Sequence, residues 1–148
     1  MTIAEPTNPI NRTTGSEASP RKGLNIALWI VQVLLGLLFI WAGGMKLVMP
    51  LEKMAGPVDL PGWFLRFIGV VELLGGLGLI LPGLLRIRTS LTAWAAAGLV
   101  IVMIGAVGIT LAGGAKTAGM AVIPAVTGLL AAFVAYGRWR LVPLRSRR

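Results

Sequence analysis

Cysteine and histidine are both missing from this chain. Their absence removes disulfides, thiolate and imidazole metal ligands, and any nucleophile chemistry built on either side chain. A bis-histidine haem, a redox dithiol or a typical zinc centre would have to be supplied by another protein, and no metal site is expected. Acidic residues are scarce too, 5 against 14 Lys and Arg, which leaves a formal net charge of +9. No alternating strand pattern is present, and no catalytic constellation stands out, so the residues leave open whether the chain is an enzyme.

What the chain has in abundance is apolar residues. Of 148 residues 56% are hydrophobic and 13% charged, with a mean hydropathy of +0.84. A small soluble core could not enclose that much apolar surface. The distribution decides the matter, because the charges are confined to short stretches between apolar runs of about twenty residues, the length that spans a bilayer. The spans are predicted over Leu24 to Met45, Phe64 to Leu81, Leu91 to Ala112 and Ala118 to Tyr136. At about 1.5 Å per residue each crosses a hydrocarbon layer of about 30 Å as a helix. In lipid the backbone hydrogen bonds must be met within the helices themselves. The expected fold is therefore all-α, a polytopic membrane four-helix bundle.

Residues 1–22 read as a disordered polar N-terminal tail, 23–143 as the four-helix transmembrane domain and 144–148 as a basic C-terminal tail. No clean cleavage signal follows the first apolar run, so it is expected to be a retained helix rather than a signal peptide. The longest connection, from Lys46 to Trp63, contains Pro50, Pro57 and Pro61 and is expected to break the helix and form a short interfacial or partly re-entrant element around Pro50 and Met54. The other links are short, which favours antiparallel neighbours. Pro82 with Gly83 is expected to end the second helix, and Pro124 to bend the fourth.

Orientation follows from charge. One side of the four spans collects Arg12, Arg21, Lys22, Arg86, Arg88, Arg138, Arg140, Arg145, Arg147 and Arg148. The other holds Lys46, Lys53, Arg66 and Lys116, offset by Glu52 and Asp59. Positive residues are retained on the cytoplasmic side, so both termini are expected there. Trp29, Trp94, Tyr136 and Trp139 then fall toward the inner interface, and Trp41 and Trp63 toward the outer one, as amphipathic rings prefer. The basic excess is thus assigned to lipid headgroups rather than to nucleic acid.

Glycine recurs within the spans, and in lipid it allows close helix approach. Gly36, Gly43, Gly44, Gly69 and Gly76 are expected to form the main packing seam. Gly75, Gly78, Gly98, Gly105, Gly108 and Gly128 are read in the same way. Glu72 is the single acidic residue inside a span. A carboxylate at that depth must be paired, protonated or wetted. Lys46 is the nearest plausible cation, and Arg66 is a weaker one because six residues along a helix separate it from the Glu72 face. Two readings of Glu72 and Lys46 stand side by side: a small polar pocket open to the outer half of the membrane, suited to a quinone headgroup or a proton, or an ion pair that locks two helices. AGGMK at 42–46 recurs as AGGAK at 112–116, which makes Lys116 an outer-face counterpart of Lys46 if the two hairpins are duplicated.

The order of these pieces resembles the DoxX family. The likeness runs over about residues 24–143: F-x-x-A-G-x-x-K at Phe39 to Lys46, R-F-I-G-x-x-E-L-L-G-G-L-G-L-I-L-P at Arg66 to Pro82, an arginine-bearing loop at Arg86, an A-A-x-G-L-x-x-x-M-x-x-A run ending at Ala106, and F-V-A-Y-G-R-W-R-L-V-P at Phe133 to Pro143. The resemblance implies a helical inner-membrane protein with Lys46 and Glu72 on the family's polar motif. Some relatives look like subunits of thiosulfate:quinone oxidoreductases, and others look linked to complexes handling oxidative or thiol stress. The expected function is accordingly a membrane accessory subunit or anchor of a redox-linked complex, with a quinone as its candidate ligand, no covalently bound cofactor, and a protein partner or a second copy beside it. The alternatives are a small transporter or lipid-handling protein, and an assembly factor without a small ligand.

Overall fold

The structure, a computed structural model, describes residues 20–54, 56, 58–85 and 90–142. Four helical segments in it are long and apolar enough to cross a membrane. Helix α1 spans Pro20–Val48, α2 Gly62–Leu85 and α3 Ser90–Ala112. The fourth span, Ala115–Leu141, is composite. It runs through α4 (Ala115–Ala118), a 3-10 turn at Gly119–Ala121, α5 (Val122–Tyr136) and a π turn at Gly137–Leu141.

These segments are helices because lipid leaves the backbone no other partner, and their outward faces confirm that solvent. Leu34, Ile101, Ile104, Ile123 and Leu129 are all widely exposed. In water such a surface would aggregate, whereas against acyl chains it is neutral. The buried interior is a narrow column in which Leu35, Phe39, Leu79, Ala96, Leu99, Met103, Ala131 and Val134 meet. The 29 residues of α1 extend to about 43 Å. That is longer than the hydrocarbon layer, so its first turn carries exposed Arg21 and Lys22 beyond it.

Three boundaries differ from expectation, each for a backbone reason. Pro82 does not stop α2, which continues through it to Leu85. Proline removes a single bond to the preceding turn, and inside hydrocarbon losing one bond is cheaper than exposing the four free carbonyls of a helix end. Pro124 lies in the first turn of α5, where a missing N–H is tolerated, and the change of geometry falls just before it in the 3-10 turn. Residues Pro20 to Lys22 belong to α1, and the rest of the expected polar tail lies outside the described residues. So do the arginine-bearing loop at 86–89 and the basic tail at 144–148.

The long connection contains one 3-10 turn, Leu51–Lys53, which follows Pro50 and has no buried residue. The turn into the fourth span is made at Gly114, whose φ of 87° is open to glycine and strained for other residues. Lys116 beyond it is exposed.

Candidate functional site

Helices α1 and α2 are antiparallel and meet along glycines. A methyl group placed on Gly43 would stand 2.6 Å from the carbonyl oxygen of Gly69, and one on Gly76 would stand 2.7 Å from that of Gly36. These neighbours are backbone atoms that cannot yield, so the two helices touch main chain to main chain, the approach small residues permit in lipid. Gly36 and Gly69 are constrained in turn, by Ile80 and by the Lys46 stem. Gly44 is not part of this seam. Nothing lies within 4 Å of a methyl group built there, because adjacent helical residues point about 100° apart and Gly43 already takes the inward direction.

The other glycines divide similarly. Gly75 faces Leu99, Gly78 faces Ala95 and Gly128 faces Met103, whereas Gly98, Gly105 and Gly108 have nothing within 4 Å. The expectation that all of them mark seams is corrected for these three on α3. Composition identifies small residues but not which side of the helix is covered.

At one end of the α1–α2 seam, Lys46 Nζ lies 2.6 Å from Glu72 Oε2. Side chains lean toward the N-terminus of their own helix. In an antiparallel pair Lys46 therefore leans into the membrane and Glu72 leans out of it, and the two heads converge. The pair is asymmetric: the Glu72 side chain is 6% exposed and that of Lys46 30%. A carboxylate so deeply covered is held by its cation, while the Lys46 side chain keeps part of its surface open.

Arg66 stands apart from Glu72, and it has a different job. Its guanidinium donates to the carbonyl oxygens of Lys46 at 2.6 Å, of Leu47, and of Met49 at 3.0 Å. Those oxygens belong to the end of α1, where helical carbonyls lack intrahelical donors and the helix dipole is negative. Arg66 thus caps α1 from α2 and fixes the backbone that carries Lys46.

A second polar cluster, at the end of the bundle where α1 begins and the fourth span finishes, was not expected from the sequence. Arg138 Nε donates to Gln32 Oε1 at 2.9 Å and Arg138 Nη1 to Asn25 Oδ1 at 2.6 Å, and Gln32 Nε2 donates to the Leu79 carbonyl oxygen. The guanidinium also lies 5.3 Å from the centre of the Trp29 ring. This network joins α1, α2 and the π turn. The available signal was the two amides, Asn25 and Gln32, that interrupt an otherwise apolar first span. Arg138 was assigned only to the rim charge that sets orientation.

Among the described residues no group of His, Cys, Asp and Glu is placed to hold a metal ion. An apolar groove between α2 and α3 is lined by Val71, Leu74, Gly75, Ala95, Gly98 and Leu99, none of them a member of either polar cluster.

Fold and site together define a polytopic helical membrane protein whose first two spans are joined by the Lys46–Glu72 ion pair. The chain belongs to the DoxX-like family, whose sequence profile matches residues 30–134. No curated protein and no solved structure gives a match.

Proposed function

We propose that the chain is a non-catalytic accessory subunit that anchors a redox-linked partner in a bacterial inner membrane. Both termini then lie in the cytoplasm, and a quinone headgroup is the ligand of the Lys46–Glu72 site. The carrying observation is the asymmetry of that pair, in which Glu72 is covered and Lys46 keeps an open side. An ammonium held in place by a buried carboxylate has further N–H groups to offer to a carbonyl oxygen. With no cysteine or histidine the chain has no thiolate or imidazole to hold an electron carrier, so electron transfer would fall to a partner.

Purification in a mild detergent, followed by identification of co-eluting proteins and extractable quinone, tests the reading. Recovery of both is expected from the native chain, and loss of quinone from folded Glu72→Gln. Absence of quinone and partner alike from the native preparation would remove the proposal. A second reading, an assembly scaffold without a small ligand, is favoured by the position of the pair at the end of a backbone-to-backbone seam. In that case Glu72→Gln lowers stability and partner recovery while no bound molecule changes.

A further inference from the structure

Arg138 is 3% exposed, and both of its side-chain partners are neutral amides. Its Nη2 is buried and has no hydrogen-bond partner. At the same end of the bundle the described residues include Arg21, Lys22 and Arg140, and no Asp or Glu. A buried guanidinium is stable only when its charge and its N–H groups are answered, and amide oxygens supply the second but not the first. Among the described residues no acidic group answers the Arg138 charge. Thr92, in the first turn of α3 at that same end, is fully buried and its hydroxyl is likewise without a partner.

We propose that Arg138 is the receptor for a phosphate oxyanion at the end of the bundle where α1 begins and the fourth span finishes. The planar guanidinium suits this class of ligand, because its paired N–H groups match two oxygens of a phosphate. Trp29 lies against the cation, and Gln32 and Asn25 hold Nε and Nη1, which leaves Nη2 for the ligand. Arg138 also lies in the π turn Gly137–Leu141, closed by the Val142 N–H donating to the Gly137 carbonyl oxygen at 2.8 Å. Such wide turns are rare and recur at functional sites. Local opening of this one stretch, without unfolding α5 or releasing Arg138 from Gln32 and Asn25, gives the oxyanion a way in to Nη2. The phosphate has two sources, an anionic phospholipid headgroup and free inorganic phosphate. The lipid source is compatible with the exposed basic residues of this end, since basic pockets between helices bind such headgroups.

The test uses the full chain, labelled with 15N at arginine, in maltoside micelles that contain no phosphorus. Phosphatidylglycerol is added in one arm and inorganic phosphate in the other, and 15N–31P dipolar coupling to guanidinium nitrogens is recorded on the frozen samples under magic-angle spinning. Coupling is expected, persisting in the Arg21→Gln/Arg140→Gln double variant and disappearing in Arg138→Lys. The arm in which it arises identifies the source. Thermal midpoint is the second readout: the ligand raises it by several degrees in the native chain, and Arg138→Gln loses that rise. If Arg138→Gln or Arg138→Lys does not fold, coupling in a variant that carries Gln also at Arg12, Arg86, Arg88, Arg145, Arg147 and Arg148 decides alone. No coupling in either arm, or coupling lost in the double variant, overturns the proposal. An unchanged midpoint rise in folded Arg138→Gln overturns it as well.

Discussion

The two polar clusters, at opposite ends of the same helix, solve the burial of charge in different ways. Around Lys46 the cation meets a carboxylate from the adjacent helix, and Arg66 caps the backbone beneath it. Around Arg138 the cation meets only amide oxygens and an aromatic face. The Lys46–Glu72 pair is internally neutral and sits over a seam in which glycines bring main chains into contact. The second carries a net charge and is held by a single turn at the end of the last span. Charge deep in a membrane protein can thus be settled within the fold or left for a ligand, and the count of opposite charges at each site separates the two cases.

The largest effect is expected from breaking the seam under the neutral cluster. Gly43→Leu forces a side chain into the backbone of Gly69 and Leu73, and a loss of about 3 kcal/mol or more is expected. Gly44→Leu, facing open space, should remain within about 0.5 kcal/mol of the parent. Denaturation in mixed micelles compares the two, and equal losses would dissolve the distinction between inner and outer glycines.

Next in size is removal of the cation alone. Lys46→Met strands a carboxylate whose side chain is 6% exposed, and because the pair is partly open at Lys46 the cost falls at the lower end for a broken buried pair, about 3 kcal/mol. Glu72→Gln should cost less, because the Lys46 amine can lift toward the headgroups. The double variant should recover part of the loss, with a coupling of about 1–3 kcal/mol in a double-mutant cycle. Additive losses would mean that the two groups do not form a unit.

Arg66→Gln removes charge-assisted bonds to the end of α1 and should cost about 1–3 kcal/mol. Amide hydrogen exchange should quicken locally near residues 46–49, with little change at the Arg138 end. The smallest effect is expected at the charged cluster, where Asn25→Ala takes away one neutral acceptor and leaves Gln32 in place, at about 1 kcal/mol. A loss as large as that of Lys46→Met would show that this end, too, is settled within the fold.

The broad fold was readable because it depends on composition along the chain. Apolar runs of spanning length and the punctuation between them place four helices, and the third was located to within a residue of its observed start. The pairing of Lys46 with Glu72 was one of two open readings, and a lone acid in a span leaves few partners to consider. Helix ends were read less well at Pro82 and Pro124. Local proline rules are derived for helices that can stop in water, and a span has no such freedom. Gly44 and the α3 glycines Gly98, Gly105 and Gly108 went astray for another reason. Small residues announce that close approach is permitted, and only the azimuth of the helix decides whether a neighbour takes it up.

By itself, then, the order of residues determined that the chain lives in lipid, that it is helical, and where its few charges stand along the spans. Hydrophobic transfer acts locally and is summed over short windows, so these properties need no knowledge of distant contacts. Tertiary structure alone decided that Arg66 caps α1, that Gly43 rather than Gly44 forms the seam, and that Arg138 reaches Asn25 and Gln32 across more than a hundred residues of sequence. Those outcomes depend on how the helices rotate and pack, and bonds between side chains so far apart in sequence exist only after the chain has folded back on itself.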